Sequence, residues 1–413
     1  MGDRLFHLRS PYLRLWSAAS ISSVGARISR EGIPLTAVLT LHAAPGAIGV
    51  LAALGAAPAV AAGLLCGPWV DRGGRRGLMI AADLSRAALL ASIPICAAFH
   101  GLSLAALCLV AALVGAGATL FDMASHAFLP SIVPQDRLVD ANAGLSASYS
   151  AAEIAGPGVT GLLVTLLTAP IAMAVNVVTY LASALFLAFI PKAATVSSEP
   201  PAQDERPDIL GGLRIAWREP SVRALLAMTA NQALAGGIFS ALYILFAIRA
   251  LALSPLMLGI TVAVGGAGSL IGAAITPALA RRIGVGPAIP LSAWATAACL
   301  VLIPLAGGGP FVAMGVLMVA QLFGDAAGTA SEILMVSCRQ GLLPAATLGR
   351  TAGAFAATEG VARTIGALAG GLIGETLGLR MALAIAAGGF LLAPLWTLGS
   401  PLWRNAAPGR QST

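Results

Sequence analysis

Charged side chains inside otherwise apolar stretches are the residues of this sequence whose types and spacing could do chemistry. An ionised group near the centre of a hydrocarbon layer costs about 2.5–3.5 kcal/mol and therefore needs a partner or a function. Counted from one end of each stretch, these charges lie about 12 to 18 residues deep, close to the middle at about 1.5 Å per residue. They are Arg27, Arg30, Glu31, Glu153, Asp325, Glu359 and Arg363.

Two pairs among these charges have the spacing of neighbours on one helix face. Arg27 and Glu31 are four residues apart, and so are Glu359 and Arg363. Residues four apart meet on the surface of a helix, so each pair can neutralise itself without help from another helix. Pairing of this kind is the structural alternative to a functional role.

Three of the charges have no such neighbour. Glu153 and Asp325 lack a basic residue at helical spacing, and Arg30 has no acid three or four residues away. An apolar wall favours the neutral form of a carboxyl group, which lets it take and release a proton. We therefore predict that Glu153, alone or with Asp325, carries protons, and that Arg30 lies near Glu153 at a similar depth.

The composition places these charges in a membrane protein. The chain has 413 residues, of which 58% are hydrophobic and 10% are charged. About twelve apolar stretches are each long enough, as helices, to cross roughly 30 Å of hydrocarbon, and nothing alternates like a barrel strand. The predicted fold is therefore all-α, with spans at 13–41, 46–69, 77–100, 102–126, 138–168, 170–190, 220–250, 255–280, 286–306, 310–337, 345–377 and 380–400.

A polar segment divides the twelve spans into two sets of six. Residues 191–219 are rich in proline and mixed charge, which indicates a cytoplasmic linker. It separates an N-terminal six-helix bundle, residues 1–190, from a C-terminal bundle with a short tail, residues 220–413. The predicted architecture is two bundles related by pseudo-symmetry.

The two halves also match each other in sequence at an offset of about 209 to 210 residues. Similarity among alanine-, glycine- and leucine-rich spans arises by chance, but the matched positions here include rare residue types. A parallel repeat of six helices is an architecture of transporters, whose halves rock around a site near the bilayer midplane. The matched residues include Pro11 with Pro220, Arg14 with Arg223, Arg72 with Arg281, and Asp122 with Glu332.

The basic residues predict the orientation in the membrane. If the N-terminus is cytoplasmic, the outer loops contain only Arg249 and Arg380 of the 24 Lys+Arg in the chain. Such an asymmetry is typical of inner loops that face the cytoplasm, so we expect a multi-pass protein of the inner (plasma) membrane with both termini cytoplasmic. The net charge of +7 then faces the lipid bilayer, and no nucleic acid partner is needed.

The inner loop "GPWVDRGGRRG", at 67–77, carries the densest cluster of charge. It resembles the signature of the major facilitator superfamily, in which G is followed by D, R and a further pair of R at fixed spacing. A weaker copy, "PALARRIGVG", lies at 277–286 and has Ala280 in place of the acid. The residues at the signature positions are Gly67, Asp71, Arg72, Gly74, Arg75 and Arg76.

This loop has two physical interpretations. Asp71 could face the positive end of a helix in the other half and latch the inner side, while Arg75 or Arg76 reaches Asp122 to form a relay. The alternative is a solvated turn that obeys the positive-inside rule. Asp122 and Glu332, at the inner ends of spans 4 and 10, are interpreted as gate or relay residues.

A second motif narrows the resemblance. "EIAGPGVTGLLV" at 153–164 is similar to the fifth helix of the enterobactin-exporter-like, drug-efflux branch, as is "LPSIVPQDRLVDANAG" at 129–144. In that branch a Gly-Pro motif, matched here by Gly156, Pro157 and Gly161, is associated with proton-coupled antiporters. The resemblance extends over nearly the whole chain.

The resemblance also implies which residues surround substrate, because helices 1, 4, 7 and 10 line the cavity of the superfamily. Phe239 and Tyr243 would then offer aromatic contacts, whereas Asn231 and Gln232 could equally join neighbouring helices. The substrate-cavity candidates are Arg27, Arg30, Glu31, Asn231, Gln232, Phe239, Tyr243, Asp325 and Arg363.

Motifs for other chemistry are absent from the sequence. No G-K-S or G-K-T occurs, and there is no HExxH, G-x-S-x-G or CxxC, so we expect no ATP site, no metal, no cofactor and no enzyme. The function predicted is a monomeric, proton-coupled exporter of small organic molecules such as drugs or siderophore-like metabolites. The alternatives are an importer or facilitator of the same fold, or a membrane scaffold or enzyme that transports nothing.

Overall fold

The structure, a computed structural model, describes residues 11–65, 74–191 and 209–403. Within these ranges the chain forms helices and connecting turns, with no β-strand. Twelve long helices account for most of the described residues. They are α1 (Pro11–Leu39), α2 (Pro45–Leu65), α3 (Arg75–Ala98), α4 (Leu104–Phe128), α5 (Leu138–Leu167), α6 (Ala169–Ala188), α7 (Pro220–Leu245), α8 (Pro255–Ile283), α9 (Val285–Leu305), α10 (Pro310–Leu342), α11 (Ala345–Thr376) and α12 (Leu379–Leu392).

Each of the twelve predicted spans coincides with one of these helices, so the all-α prediction is confirmed. Across the described residues nine helices are long and apolar enough to cross a membrane, and α2 adds a shorter apolar segment, Pro45–Ala57. The two remaining helices, α1 and α11, are the ones that carry several charges inside their spans.

The helix ends follow from local sequence signals. Proline begins α1, α2, α7, α8 and α10, where its missing N–H removes no helical hydrogen bond. Ser103 and Ser254 cap α4 and α8, each accepting a hydrogen bond of 3.2 Å from a backbone N–H three residues later. The helix α10 continues to Leu342, beyond the predicted end at 337.

The contacts of the chain divide it into two compact units. The first comprises Met1–Ala43 and Leu54–Asp204, and the second comprises Ala44–Ala53 and Glu205–Thr413. In the first unit an apolar core joins α1, α3, α4, α5 and α6 around Leu15, Met79 and Phe121.

In the second unit, glycines bring helix backbones into direct contact. A side chain at Gly268 of α8 would overlap the Leu322 carbonyl of α10, and one at Gly366 of α11 would overlap the Leu234 carbonyl of α7. The hydrophobic effect does not hold helices together in lipid. Small residues at such crossings let the backbones approach closely, and the resulting van der Waals packing holds the helices together.

Part of the predicted linker is ordered. Residues Ile209–Arg218 form a short helix, named here the connector helix, which ends two residues before α7 begins. Its Ala216 is fully buried in the apolar core of the second unit. The proline and charge content of the linker gave no sign of this helix in the sequence.

Candidate functional site

An ion-pair cluster joins α1 to α5 in the first unit. An Nη2 atom of Arg27 binds Oε1 of Glu153, and Nη2 of Arg30 lies 3.9 Å from Oε2 of the same carboxylate. The Nε of Arg30 also donates to Oε1 of Glu31 at 3.4 Å. Glu153 therefore presents one oxygen to each arginine, and α1 and α5 are linked through charge.

This arrangement corrects the pairing expected along α1. Arg27 bonds to Glu153 on the neighbouring helix instead of to Glu31 four residues away, and Glu31 is bonded to Arg30. Glu153 is therefore not an isolated carboxylate in an apolar wall. The expectation was wrong because spacing along one helix considers only partners within that helix. The packing of α1 against α5 brings Glu153 closer to Arg27 than Glu31 is.

The cluster is open to its surroundings on one side. The side chain of Arg30 is 59% exposed and that of Glu153 is 43% exposed, whereas Arg27 is 22% exposed. Arg27 therefore acts as the inner, structural partner of Glu153. The side chains of Arg30 and Glu153 are the parts of this ion-pair cluster that are most open to an ion or a small molecule.

The Gly-Pro motif of α5 positions these groups. A Cβ atom at Gly156 would lie 2.5 Å from Cβ of Arg27 and 3.0 Å from its Cγ, so only glycine lets the arginine pass across α5. Pro157 lies inside the same helix and has no N–H to donate to the carbonyl four residues earlier, which is that of Glu153. The motif therefore admits Arg27 and loosens the helix at the residue that Arg27 binds.

Asp122 of α4 belongs to the same neighbourhood. Its carboxylate interacts electrostatically with Arg27, and also with Arg86 and His126. Asp122 is exposed and lies six residues before the end of α4 at Phe128. The cluster thus contains two arginines and three acids, counting Glu31 and Glu153.

The described part of the inner-loop motif caps helix ends. Arg75 donates to the Ala127 carbonyl at 3.0 Å, at the end of α4, and Arg76 donates to the Leu187 carbonyl at 2.7 Å, at the end of α6. Arg14 binds the Phe189 carbonyl just beyond α6. Cations at the C-terminal ends of helices satisfy free carbonyls and favour the helix dipole.

These contacts correct the predicted relay. Within the described residues Arg75 and Arg76 bond to carbonyls, and neither takes Asp122 as a hydrogen-bond partner. Gly74 precedes α3 with a φ of 82°, a conformation that favours glycine. Gly67, Asp71 and Arg72 lie outside the described residues, so the proposed latch at Asp71 stays a prediction.

A second charge pair, which the sequence analysis did not single out, is fully buried in the first unit. Asp83 and Arg86 of α3 are 0% and 1% exposed, and Nη2 of Arg86 binds Oδ1 of Asp83. Ser22 of α1 donates to the same oxygen at 3.2 Å and accepts from Arg86 at 3.0 Å. The pair therefore ties α3 to α1, one to two helical turns from the arginines of the cluster.

Aromatic rings complete the surroundings of Arg86. Its guanidinium carbon lies 4.9 Å from the ring centre of Phe121 on α4 and 4.3 Å from that of Tyr180 on α6. Stacking of this kind stabilises a buried cation, particularly where water is excluded. An aspartate three residues before an arginine in an apolar span was the available sequence signal, and the spacing test applied to α1 and α11 would have found it.

Polar candidates of the second unit are less concentrated. Asp325 of α10 lies against Gly265 of α8, and no ion-pair partner for it occurs among the described residues. Arg363 bonds to Glu359 one turn away at 2.6 Å, the pairing expected along α11. Glu332 is exposed near the end of α10.

The polar and aromatic candidates on α7 differ in burial. Asn231, Gln232 and Tyr243 are half-buried, whereas Phe239 is only 8% exposed. The ring of Phe239 packs edge-on against Phe390 of α12, with centroids 6.0 Å apart. Phe239 is thus engaged in packing between α7 and α12.

Among the described residues, no three His, Cys, Asp or Glu side chains lie close enough together to hold a metal ion.

A family model described as Major Facilitator Superfamily matches residues 15–366. The chain belongs to this superfamily. Solved structures of the superfamily fold agree: a bacterial homologue of the iron transporter ferroportin in an inward-facing state superposes with a TM-score of 0.74 at 16% identity, covering 94% of this chain and 98% of that one. The nucleoside transporter NupG gives a TM-score of 0.73 at 15% identity, covering 94% and 98%.

Two relatives in sequence are also transport proteins. An uncharacterized MFS-type transporter, YfiS of Bacillus subtilis (strain 168), is 25% identical over 407 residues, covering 93% of this chain and 92% of its own length. The multidrug efflux pump Tap of Mycolicibacterium fortuitum is 27% identical over 225 residues, 52% of this chain and 54% of Tap. The chain is therefore a multi-pass membrane transporter with twelve transmembrane helices in two six-helix bundles, not an enzyme.

The buried pair on α3 generates a stability prediction. We expect Asp83→Asn and Arg86→Met each to lower the thermal midpoint of the purified protein strongly, because either change leaves one polar group buried without its partner, a loss of about 3–5 kcal/mol. The double variant should lose less than the sum of the two. The Arg363 and Glu359 pair of α11 is the matched control: its side chains are 44% and 47% exposed, so a charge left without its partner by Glu359→Gln or Arg363→Met can turn to the open side, and each variant should lose less stability than the variants of the buried pair. Equal effects at the two pairs would contradict this assignment.

The close passage of Arg27 over α5 generates a second prediction. Gly156→Ala should lower the thermal midpoint, because the added methyl overlaps Arg27 and overpacking costs about 1–3 kcal/mol. Gly158→Ala, two residues along the same helix, has open space around its Cβ and should leave the midpoint unchanged or raise it. Equal midpoints for the two variants would show that Gly156 does not make room for Arg27.

Proposed function

We propose that this transporter exports small organic molecules, such as drugs or siderophore-like metabolites, in exchange for protons. The observation that carries the proposal is the cluster in which Glu153 is held by two arginines beside the Gly-Pro break of α5. The likeness to the pump Tap, whose name describes multidrug efflux, supports export, as does the resemblance of the α5 motif to the enterobactin-exporter-like, drug-efflux branch.

The charge inventory of the cluster favours proton binding. Arg27 and Arg30 supply two positive charges, and Glu31, Asp122 and Glu153 supply three negative charges when all are ionised. An uncompensated charge within a membrane span is costly, so one added proton or one cationic group brings the cluster to neutrality. The two arginines favour the ionised form of Glu153, and the contact with Arg30, at 3.9 Å, is the looser of the two links that protonation has to open.

Protonation of Glu153 has a defined structural consequence. A neutral carboxyl group no longer attracts Arg27 and Arg30 as an ion, so the charge link between α1 and α5 weakens. In the ionised state the cluster carries an excess negative charge, which either a proton or a cationic group of the cargo can neutralise. A proton and a cationic group of the cargo thereby compete for the carboxylate of Glu153, which is the differential affinity that coupled exchange requires.

Asp325 is proposed as a second proton carrier. It is half-buried in α10 beside Gly265 and has no cation within ion-pair distance in the described chain. When ionised, Glu153 has arginines as partners, whereas an ionised Asp325 has water or a cationic group of the cargo as its partner. Asp325 favours cationic cargo and the arginines favour anionic groups, so the cargo class includes zwitterions.

We further infer that the N-terminal bundle (1–190) and the C-terminal bundle (220–413) operate by alternating access as a monomer. Residues 191–219 link the two bundles, and both termini face the cytoplasm at the inner membrane. The boundary between the two compact units, Asp204 and Glu205, falls inside that linker and supports the division. The scarcity of basic residues in the outer loops supports the orientation.

Proton-driven efflux from reconstituted vesicles tests this function. With a panel of labelled dyes and siderophores and an imposed pH gradient, we expect Glu153→Gln to lower gradient-driven transport by roughly tenfold or more, about 1.4 kcal/mol in coupling. Glu153→Asp, which keeps the charge, should retain part of it. Asp140→Asn, an exposed acid in the first turn of α5, is the matched control and should leave transport intact. Full proton-driven efflux by folded Glu153→Gln protein would refute the role of Glu153.

Asp325→Asn separates the two proton carriers. We expect this variant to lose pH-driven accumulation of cationic dyes while it retains most transport of zwitterionic cargo, because the arginine cluster is untouched. The measurement compares initial rates for cationic and zwitterionic members of the panel at one pH gradient. An equal loss for both classes would instead make Asp325 an obligatory proton site.

A further inference from the structure

The connector helix, Ile209–Arg218, lies at the membrane face where two spanning helices begin. It is followed after one residue by Pro220, the start of α7. Its Gly212 is so close to the Arg350 carbonyl, in the second turn of α11, that a Cβ atom would overlap it. Because α7 and α11 both start at this level, the connector helix is held at the boundary between the bilayer and water.

One side of the connector helix is buried against the described residues, and the opposite side is exposed among them. Gly212 and Ala216 are buried, with Leu213 and Ile215 packed against the core of the second unit. The exposed positions form a separate face, named here the connector face. Its residues are Leu210, Arg214, Trp217 and Arg218.

The connector face has the composition of a helix that lies in a membrane interface. Leu210 and Trp217 are 75% and 62% exposed, far more than large apolar side chains in water usually are. At about 100° per residue, Trp217 and Leu210 occupy one edge of the face and Arg218 the other, with Arg214 between them. An apolar edge toward the acyl chains and a basic edge toward the headgroups is the arrangement of interfacial helices.

A third arginine extends the basic edge. Arg223, in the first turn of α7, lies with its guanidinium carbon 6.0 Å from the Trp217 ring and donates to the Trp217 carbonyl at 3.3 Å. Glu219 is the single acid between residues 209 and 223. The indole thus lies beside Arg223, and tryptophan is typical of the headgroup level of membranes.

We propose that the connector face binds the headgroups of anionic phospholipids, with Arg214 and Arg218 contacting the phosphate and Trp217 inserted at the acyl boundary. Anionic lipid is the occupant that satisfies both edges, because a soluble anion would leave Leu210 and Trp217 exposed to water. Positive charge close to an anionic leaflet adds attraction for each arginine, and the effect decays within a Debye length. This site is independent of the cargo and of proton coupling.

Fluorescence quenching of Trp217 tests the proposal in the full-length protein reconstituted with brominated lipids. The difference between the unaltered protein and Trp217→Phe isolates the signal of this indole. We expect brominated phosphatidylglycerol to quench it at roughly fivefold lower mole fraction than brominated phosphatidylcholine, and this preference to disappear in Arg214→Gln/Arg218→Gln while quenching itself persists. Inorganic phosphate at equal concentration should not reduce the preference.

The matched control is Arg281→Gln/Arg282→Gln, which removes two exposed arginines at the end of α8. This control should keep the preference for phosphatidylglycerol. Three results would overturn the proposal. They are equal quenching by the two lipids, an unchanged preference in Arg214→Gln/Arg218→Gln, and the same loss of preference in the α8 control. Competition by inorganic phosphate would show a free-anion site instead of a lipid site.

Discussion

Two arginines less than one helical turn apart, Arg27 and Arg30, stand near the middle of a membrane-spanning helix and must be neutralised there. The carboxylate of Glu153 on α5 meets this requirement by presenting one oxygen to each arginine. Much else in the first unit follows from that link, because Gly156 must lack a side chain for Arg27 to cross α5. Pro157 has no N–H to donate to the carbonyl of Glu153. The side chain of Glu153 is therefore held by an ion pair, while its backbone carbonyl lacks the usual hydrogen bond of a helix.

The same constraint is met differently elsewhere in the chain. Asp83 and Arg86 are sealed from water and stacked between aromatic rings, which makes them a structural tie between α1, α3, α4 and α6. Glu359 and Arg363 neutralise each other on one face of α11 and remain half-exposed. Among the charge pairs of the residues that the structure describes, the pairing at Glu153 alone combines a link between two helices with an open side, and this combination is what a proton or a cargo molecule can use.

Hydropathy and spacing alone predicted the twelve helices, because an apolar stretch long enough to span a bilayer has few alternatives to a helix. Most of the charges within those helices were also found, since they are rare. Their partners were predicted less well. Arg363 pairs with an acid one turn away on its own helix, as expected. Arg27 pairs with Glu153 on another helix, and the spacing of residues along one helix cannot predict such a contact. Asp83 and Arg86 were overlooked for the opposite reason: they meet the local spacing rule, which was applied only to other spans. The connector helix was hidden because its ten residues follow a linker rich in proline and charge, and the packing of Gly212 against α11 and of Ala216 in the core cannot be read from its own sequence.

The central claim is that charge on Glu153 holds α1 to α5 through Arg27, and exchanging the two charges tests it most directly. Arg27→Glu, Glu153→Arg and the double exchange can be compared by the yield of folded, monodisperse protein from membranes. The account predicts that each single reversal, which places like charges against each other inside a span, sharply lowers the folded yield, and that the double exchange restores most of it. A double variant no better than the worse single variant would contradict the claim.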